Sequence, residues 1–361
     1  GWLNAPWIIN LATKFGVSND AHELGALTVT LLEGDQGAEG REIEELAQFL
    51  GSQLKPDVIC LSNALLSGTI KKIKEHYQGP LFCILQGDDV FLEELGEPYR
   101  SRSLELIRNN VQQVDGVLVH SDYYREFMSG YLDMPVEHFH KVLLGINLEG
   151  HDGTPDDRSG EPFTIGFFAR ICKEKGLHNV VQAFEIFHKA HPDSRLCVGG
   201  FLGKESEEYF QETTKNLNAL NESYKYWGSP ATREEKIAFY KSLSVLSVPT
   251  DYHEPKGLFV LEALANGVPV VQPAHGAFPE LIEQTAGGLL VPPGDPQALA
   301  DAWERLYQDQ EYRLQLARQG YERVRQFYNA ELMATESLSF FQKWVDAAGL
   351  RQNTPQLTPD P

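Results

Sequence analysis

Asp251 to Pro273 reads DYHEPKGLFVLEALANGVPVVQP, and its pattern changes twice within this span. The opening DYHEPKG is polar and carries Pro255 and Gly257, the chemistry of a loop. Leu258 to Asn266 is a run of strong helix formers, apolar almost all round, with Gly267 standing where a helix stops. Val268 to Gln272 is short, β-branched and apolar, which fits a strand buried on both faces. A second such run, Val245 to Pro249, lies just upstream. Strand, loop, buried helix and strand in this order make a βαβ unit, whose strands are parallel.

The same alternation extends outward. Leu27 to Leu32, Val58 to Ser62, Leu81 to Gln86, Gly116 to Ser121, Thr164 to Ala169 and Arg195 to Gly199 read as further strands. Arg41 to Leu50, Ser101 to Gln113, Leu177 to Ala190 and Arg233 to Leu243 carry helical periodicity between them. The class is therefore α/β, with doubly wound parallel sheets covered by helices on both faces, as the unbroken run Val58-Ile59-Cys60-Leu61 also requires. The stretch LEGHDGTPDDRSGEP, Leu148 to Pro162, lacks apolar periodicity and reads as a connector. Residues 1–150 then form one domain, 151–162 a linker and 163–329 a second domain. Residues 330–349 form a helix able to pack back on the first domain, and 350–361 a polar tail. The opening Gly1-Trp2-Leu3-Asn4-Ala5-Pro6 does not resemble the start of an independent domain, and we expect sequence upstream of it.

With 361 residues and 42% hydrophobic content, the chain is long enough for two cores. A net charge of −20 disfavours nucleic acid and anionic membrane surfaces, although a few basic residues in a cleft set the local field for a small anion. Cys60, Cys83, Cys172 and Cys197 stand singly and read as reduced thiols, without zinc or dithiol spacing. No metal-ligand spacing joins the histidines, including His138, His140, His253 and His275. No spanning helix or secretory leader is visible, so the cytoplasm is the expected compartment, and weak peripheral contact with the inner face of a membrane is compatible with this reading.

Candidate chemistry centres on Glu254 and Glu262. A helix starting near Gly257 offers unpaired N–H groups at its first turn, suited to a diphosphate. Glu254, just before that turn, is placed to reach a sugar on the same diphosphate, and Glu262, further along the helix, to accept from a ribose. The plainer alternatives are that Glu254 caps the helix and Glu262 lies on a solvated face. Gly199, Gly200 and Gly203 lack the spacing of a dinucleotide fingerprint, which argues against hydride transfer. The run Lys204 to Glu208 reads as a solvated helix start.

These residues resemble the retaining GT-B glycosyltransferases of family 4, whose signature is two glutamates separated by seven residues in a Glu-x-x-Gly-Leu frame. The resemblance continues through Ala265 to Val271, His275 to Leu281 and Gly288 to Pro293, and upstream through Ile165 to Leu177, which contains ARICKEKGL. It implies two Rossmann-like domains facing a central cleft, and a nucleoside-diphosphate sugar as donor with no metal or other cofactor. It implies Arg170, Lys175, Gly257 and Leu258 on the diphosphate, Glu254 as the catalytic residue holding the sugar, and Glu262 on the ribose. On the acceptor side it points to Asn63, Gln86 and Asp88. Many members carry histidine at the position of Gln86, which can hydrogen-bond but cannot exchange a proton near neutral pH. Asp88 or Asp89 is an alternative base there, or a helix cap. Members usually open with a strand and a glycine-rich loop, and neither precedes Leu27, which makes the first domain incomplete. The implied reaction is retaining sugar transfer to a hydroxyl acceptor (a glycan, a lipid-linked sugar or a small molecule) in cell-envelope or polysaccharide synthesis. A sugar-nucleotide epimerase, a phosphorylase and a non-catalytic nucleotide-sugar-binding protein are the alternatives.

Overall fold

The computed structural model of the chain describes residues 21–37, 40–155 and 161–349. By contacts it divides into two compact units, residues 1–142 with 335–361, and residues 143–334.

In unit 1 the described elements run α1 (Ala21–Glu33), α2 (Gly40–Phe49), β1 (Ile59–Leu61), α3 (Ile70–His76), β2 (Leu81–Ile84), α4 (Asp88–Glu94), α5 (Tyr99–Val111), β3 (Gly116–Val119), α6 (Asp122–Leu132) and β4 (Phe139–Lys141). The four strands are all parallel and lie in chain order, β1-β2-β3-β4. Alternation along them separates two faces. Leu81, Cys83, Val117 and Val119 pack against Ile73, Ile107, Val111 and Met128 of the helices. Phe82 and Leu118 point the other way, onto Phe340, Phe341 and Trp344 of the closing helix, Ala330–Ala347.

Unit 2 runs β5 (Thr164–Phe168), α7 (Leu177–Ala190), β6 (Arg195–Gly199), α8 (Glu207–Thr214), β7 (Tyr224–Gly228), α9 (Arg233–Lys241), β8 (Val245–Leu246), α10 (Leu258–Ala265), β9 (Val270–Pro273), α11 (Phe278–Thr285), β10 (Gly288–Val291), α12 (Pro296–Gln308) and α13 (Gln310–Phe327). Its sheet is parallel throughout, in the order β7-β6-β5-β8-β9-β10. The order reverses between β5 and β8. In open α/β sheets the crevice outside the carboxyl ends of strands at such a reversal is where ligands bind.

Three features differ from the expectations above. Leu27 to Leu32 is helical, inside α1. Its buried positions Gly25, Thr28, Leu31 and Leu32 recur every three to four residues, and the Thr28 and Thr30 hydroxyls donate to the carbonyls of Leu24 (2.8 Å) and Ala26 (3.0 Å), four residues back. Threonine thereby joins a helix that its β-branching disfavours. Second, the division falls at Val142/Leu143, and the described part of the connector belongs to unit 2. His151 is buried there, and its carbonyl accepts from Arg325 Nη2 at 2.6 Å. Residues 156–160 of that connector lie outside the described residues, as do the chain opening and the tail. Third, β4, β7 and β10 are strands that the periodicity did not single out. The first two are short or half-polar edge strands, and a Gly-Gly pair opens β10. Among the described residues no helix is long and apolar enough to cross a membrane.

Candidate functional site

The loops leaving β5 and β8 are stitched together. The Asp251 N–H donates to the Glu174 carbonyl at 2.8 Å, and Asn179 Nδ2 to Asp251 Oδ1 at 3.0 Å. Gly176 has φ +74°, and a Cβ there would lie 1.8 Å from the Pro249 carbonyl oxygen, so only glycine allows the two loops to close. Lys175, one residue earlier, is brought onto Glu254. Lys175 Nζ donates to Glu254 Oε2 at 2.8 Å and also to the Tyr252 hydroxyl, which itself donates to Glu254 Oε2 at 2.5 Å. Glu254 Oε1 accepts from the N–H groups of Gly257 (3.2 Å) and Lys256 (3.4 Å). The backbone of Glu254 is held too, its carbonyl accepting from Ala277 N at 2.8 Å.

Glu254 is almost wholly buried. Burial pushes its carboxyl upward, but the Lys175 ammonium and the bonds from Lys175, Tyr252 and Gly257 outweigh this and hold it below the ordinary range. Burial and the Glu254 charge drive the Tyr252 phenol well above its ordinary value, so it is a donor at every working pH. The Gly257 N–H, expected to be open to a ligand, already donates to Glu254. Glu254 thus caps the helix, because it sits where the helix dipole is positive and the amides converge. Leu258 opens α10 and is partly exposed.

Arg170 and Glu262 line one cavity of about 550 Å³, together with Phe168, Gly200, Phe201, Ser229, Lys236 and His151. Glu262 is not on a solvated face: Lys236 Nζ donates to its Oε1 at 2.5 Å and the Tyr240 hydroxyl to its Oε2 at 2.8 Å. Lys236 and Tyr240 stand one helical turn apart on α9, a pairing legible in KIAFY but unremarked because nothing in the sequence places α9 beside α10. Tyr252 and His151 were also missed, each lying in a stretch read only as loop.

In unit 1, Asn63 and Gln86 follow β1 and β2. Asp88 accepts from backbone: its Oδ1 from Ala64 N at 2.6 Å and its Oδ2 from Gln86 N at 2.8 Å. Its carboxyl is raised by burial, against the pull of those amides. Asp89 accepts from the Tyr124 hydroxyl at 2.5 Å. The Gln86 amide reaches the Ser62 carbonyl at 3.4 Å, and the Asn63 Oδ1 is buried without a hydrogen-bond partner among the described residues. Ligating atoms of Glu44, Glu75 and His76 come within 4.8 Å of one another, but Lys72 Nζ already sits 2.7 Å from Glu75 and 3.5 Å from Glu44.

Residues 155–323 match the family described as glycosyl transferases group 1. That match lies within the second unit, and the chain has the two-sheet GT-B fold. D-inositol 3-phosphate glycosyltransferase of Corynebacterium urealyticum is 32% identical over 158 residues, which are 42% of this chain and 37% of that protein. The capsular polysaccharide biosynthesis glycosyltransferase CapM of Staphylococcus aureus is 28% identical over 186 residues, 51% of this chain and 47% of CapM. The chain therefore spans less than half the length of these curated relatives. Among solved structures, HepE of Anabaena in complex with UDP superposes with a TM-score of 0.74 at 18% identity, covering 86% of this chain and 84% of HepE, a likeness of fold.

Proposed function

We propose that the protein transfers a hexose-type sugar from a nucleoside diphosphate to a hydroxyl acceptor, with retention at the anomeric carbon. The observation that carries this reading is the buried Lys175–Glu254 pair at the strand-order reversal of unit 2, one lysine and one glutamate delivered by the two loops that flank it. Arg170, Lys175 and the first turn of α10 at Gly257 and Leu258 hold the diphosphate, Glu254 the donor sugar, and Glu262 the ribose. As the bond from the anomeric carbon to the phosphate oxygen breaks, negative charge grows on the leaving diphosphate, and the two cations with the helix N-terminus meet it without a metal. Asp88 accepts from two backbone amides, Asp89 from the Tyr124 hydroxyl, and Gln86 does not exchange protons, which favours a reaction without an enzymic general base. The acceptor hydroxyl then attacks on the face the diphosphate leaves, giving its proton to the departing phosphate oxygen while its own oxygen bonds the anomeric carbon. The similarity to a capsular polysaccharide biosynthesis glycosyltransferase favours a role in envelope or polysaccharide assembly.

Calorimetric titration of the chain with UDP, GDP and ADP, in the presence of a chelator, tests the donor half. We expect micromolar binding of one nucleotide, lost in E262Q and weakened in K175M. No heat with any of the three would overturn the reading.

A further inference from the structure

His151 lies in the segment whose composition suggests a connector, yet it is buried and lines the cavity that holds Arg170 and Glu262. Its partner fixes its tautomer. Asn266, fully buried at the end of α10, places its Nδ2 at 2.9 Å from the Glu262 carbonyl oxygen and at 2.8 Å from His151 Nδ1. A carbonyl only accepts, so the atom facing it is the amide nitrogen and the side chain cannot be turned over. That nitrogen has two hydrogens: one goes to Glu262 and the other to His151 Nδ1. His151 Nδ1 therefore accepts, and the ring's single proton sits on Nε2. Burial, with the positive charge of Arg233, Lys236 and Arg325, outweighs the pull of the Glu262 carboxylate and keeps the imidazole neutral. The carbonyl of His151 is pinned by Arg325, so the residue is fixed at main chain and ring alike.

Resting on the donor reading above, we propose that His151 is a further binding residue, whose Nε2–H donates to a ribose hydroxyl of the nucleotide held in this cavity. The chemistry is complementary to Glu262. A ribose diol donates to a carboxylate, and each of its oxygens then needs a donor of its own; Lys236 and Tyr240 are already directed at Glu262, whereas the His151 donor is aimed by Asn266. One asparagine sets both halves, bonding the main chain of the acceptor residue and the ring of the donor residue.

The test uses the full chain, the one of UDP, GDP and ADP that binds, and its 2′-deoxy and 3′-deoxy analogues, with His151→Asn and His151→Gln. Asparagine keeps an acceptor for Asn266 but has no atom at the Nε2 place, whereas the glutamine amide nitrogen reaches that place. We expect H151N to weaken ribonucleotide binding about 3- to 10-fold, the worth of one neutral hydrogen bond, and to leave one of the two deoxy analogues unaffected. H151Q should recover most of the loss. Unchanged ribonucleotide affinity in H151N, or equal losses for the ribonucleotide and both analogues, would overturn the proposal while leaving the donor reading in place if E262Q still abolishes binding. Failure of all three nucleotides to bind the unaltered chain would overturn both.

Discussion

Replacing Lys175 with methionine should destabilise unit 2 through Glu254. The lysine side chain is 17% exposed and the glutamate side chain 6%, so the variant leaves a carboxylate buried without its cation. Removing one partner of a buried pair costs about 3–5 kcal/mol. Here the Tyr252 hydroxyl and the Gly257 and Lys256 amides stay on Glu254, and Lys175 retains some hydration, which lowers the expected cost to roughly 2–3 kcal/mol. At about 2–4 °C per kcal/mol for a domain of this size, the melting temperature should fall by about 4–12 °C. The sign with pH is fixed. In the unaltered protein the Glu254 carboxyl is held below its ordinary value, so the pair's contribution is complete above the ordinary glutamate range and is lost as pH falls through the lower folded value. In K175M burial is opposed only by the Tyr252 and backbone bonds, so that carboxyl lies higher than in the unaltered protein and the variant loses less stability on acidification. The gap measured by thermal denaturation should therefore narrow from neutral pH towards about pH 4, and K175M/E254Q should recover more than about 1 kcal/mol of the single-variant loss. A gap that is constant with pH, or additive losses in the double variant, would refute the reasoning.

E254Q should cut turnover far more than it cuts binding of the bare nucleoside diphosphate, compared by product formation and calorimetry; equal losses would remove Glu254 from the sugar. G276A should impair turnover and lower the melting temperature, since Gly276 has φ +59° and a Cβ would lie 2.6 Å from the Glu254 carbonyl oxygen; wild-type activity would show that the Glu254 loop tolerates displacement. D88N should destabilise unit 1 by about 1–3 kcal/mol while leaving nucleotide affinity in unit 2 unchanged; a selective loss of turnover with normal melting would return Asp88 to the acceptor chemistry.

The βαβ unit was legible because Phe259 to Ala265, Glu262 apart, and Val268 to Gln272 are buried so completely that composition alone marks them. The loops that carry chemistry were legible only in outline. Glu254 and Glu262 could be named because they precede or ride a recognisable helix start, and Arg170 and Lys175 through the family resemblance of ARICKEKGL, but not their partners. Tyr252 reaches Lys175 across 77 positions, Lys236 reaches Glu262 across 26, and Asn266 reaches His151 across 115. Such pairs are products of strand order, which no local window contains. The helix at Ala21–Glu33 was misread for the opposite reason: the TVT triplet has strand propensity, and the threonine-to-carbonyl bonds that admit it to a helix leave no mark on the sequence.

If a protein of net charge −20 is to receive a diphosphate as proposed above, it needs available cations, yet two lysines at the candidate site are paired, Lys175 with Glu254 and Lys236 with Glu262. The pairs differ in what a ligand does to them. Lys236 and Tyr240 of α9 each take one oxygen of Glu262, so on the proposed reading a ribose can use the remaining lone pairs of that carboxylate without breaking either bond. Among the described residues Lys175 has a single carboxylate partner, and a phosphate arriving beside it would compete with Glu254 for the same ammonium. Once the lysine turns to the diphosphate, Glu254 is a buried anion in need of donors, and the hydroxyls of the donor sugar supply them. On this reading bare nucleoside diphosphate brings phosphate but no sugar, so it draws the lysine away and leaves Glu254 with only the Tyr252 hydroxyl and the Gly257 and Lys256 amides. The nucleotide-sugar repays that loss. Affinity should therefore rise from nucleoside diphosphate to nucleotide-sugar in the unaltered chain, and E254Q, which has no buried charge to strand, should reduce or abolish that difference.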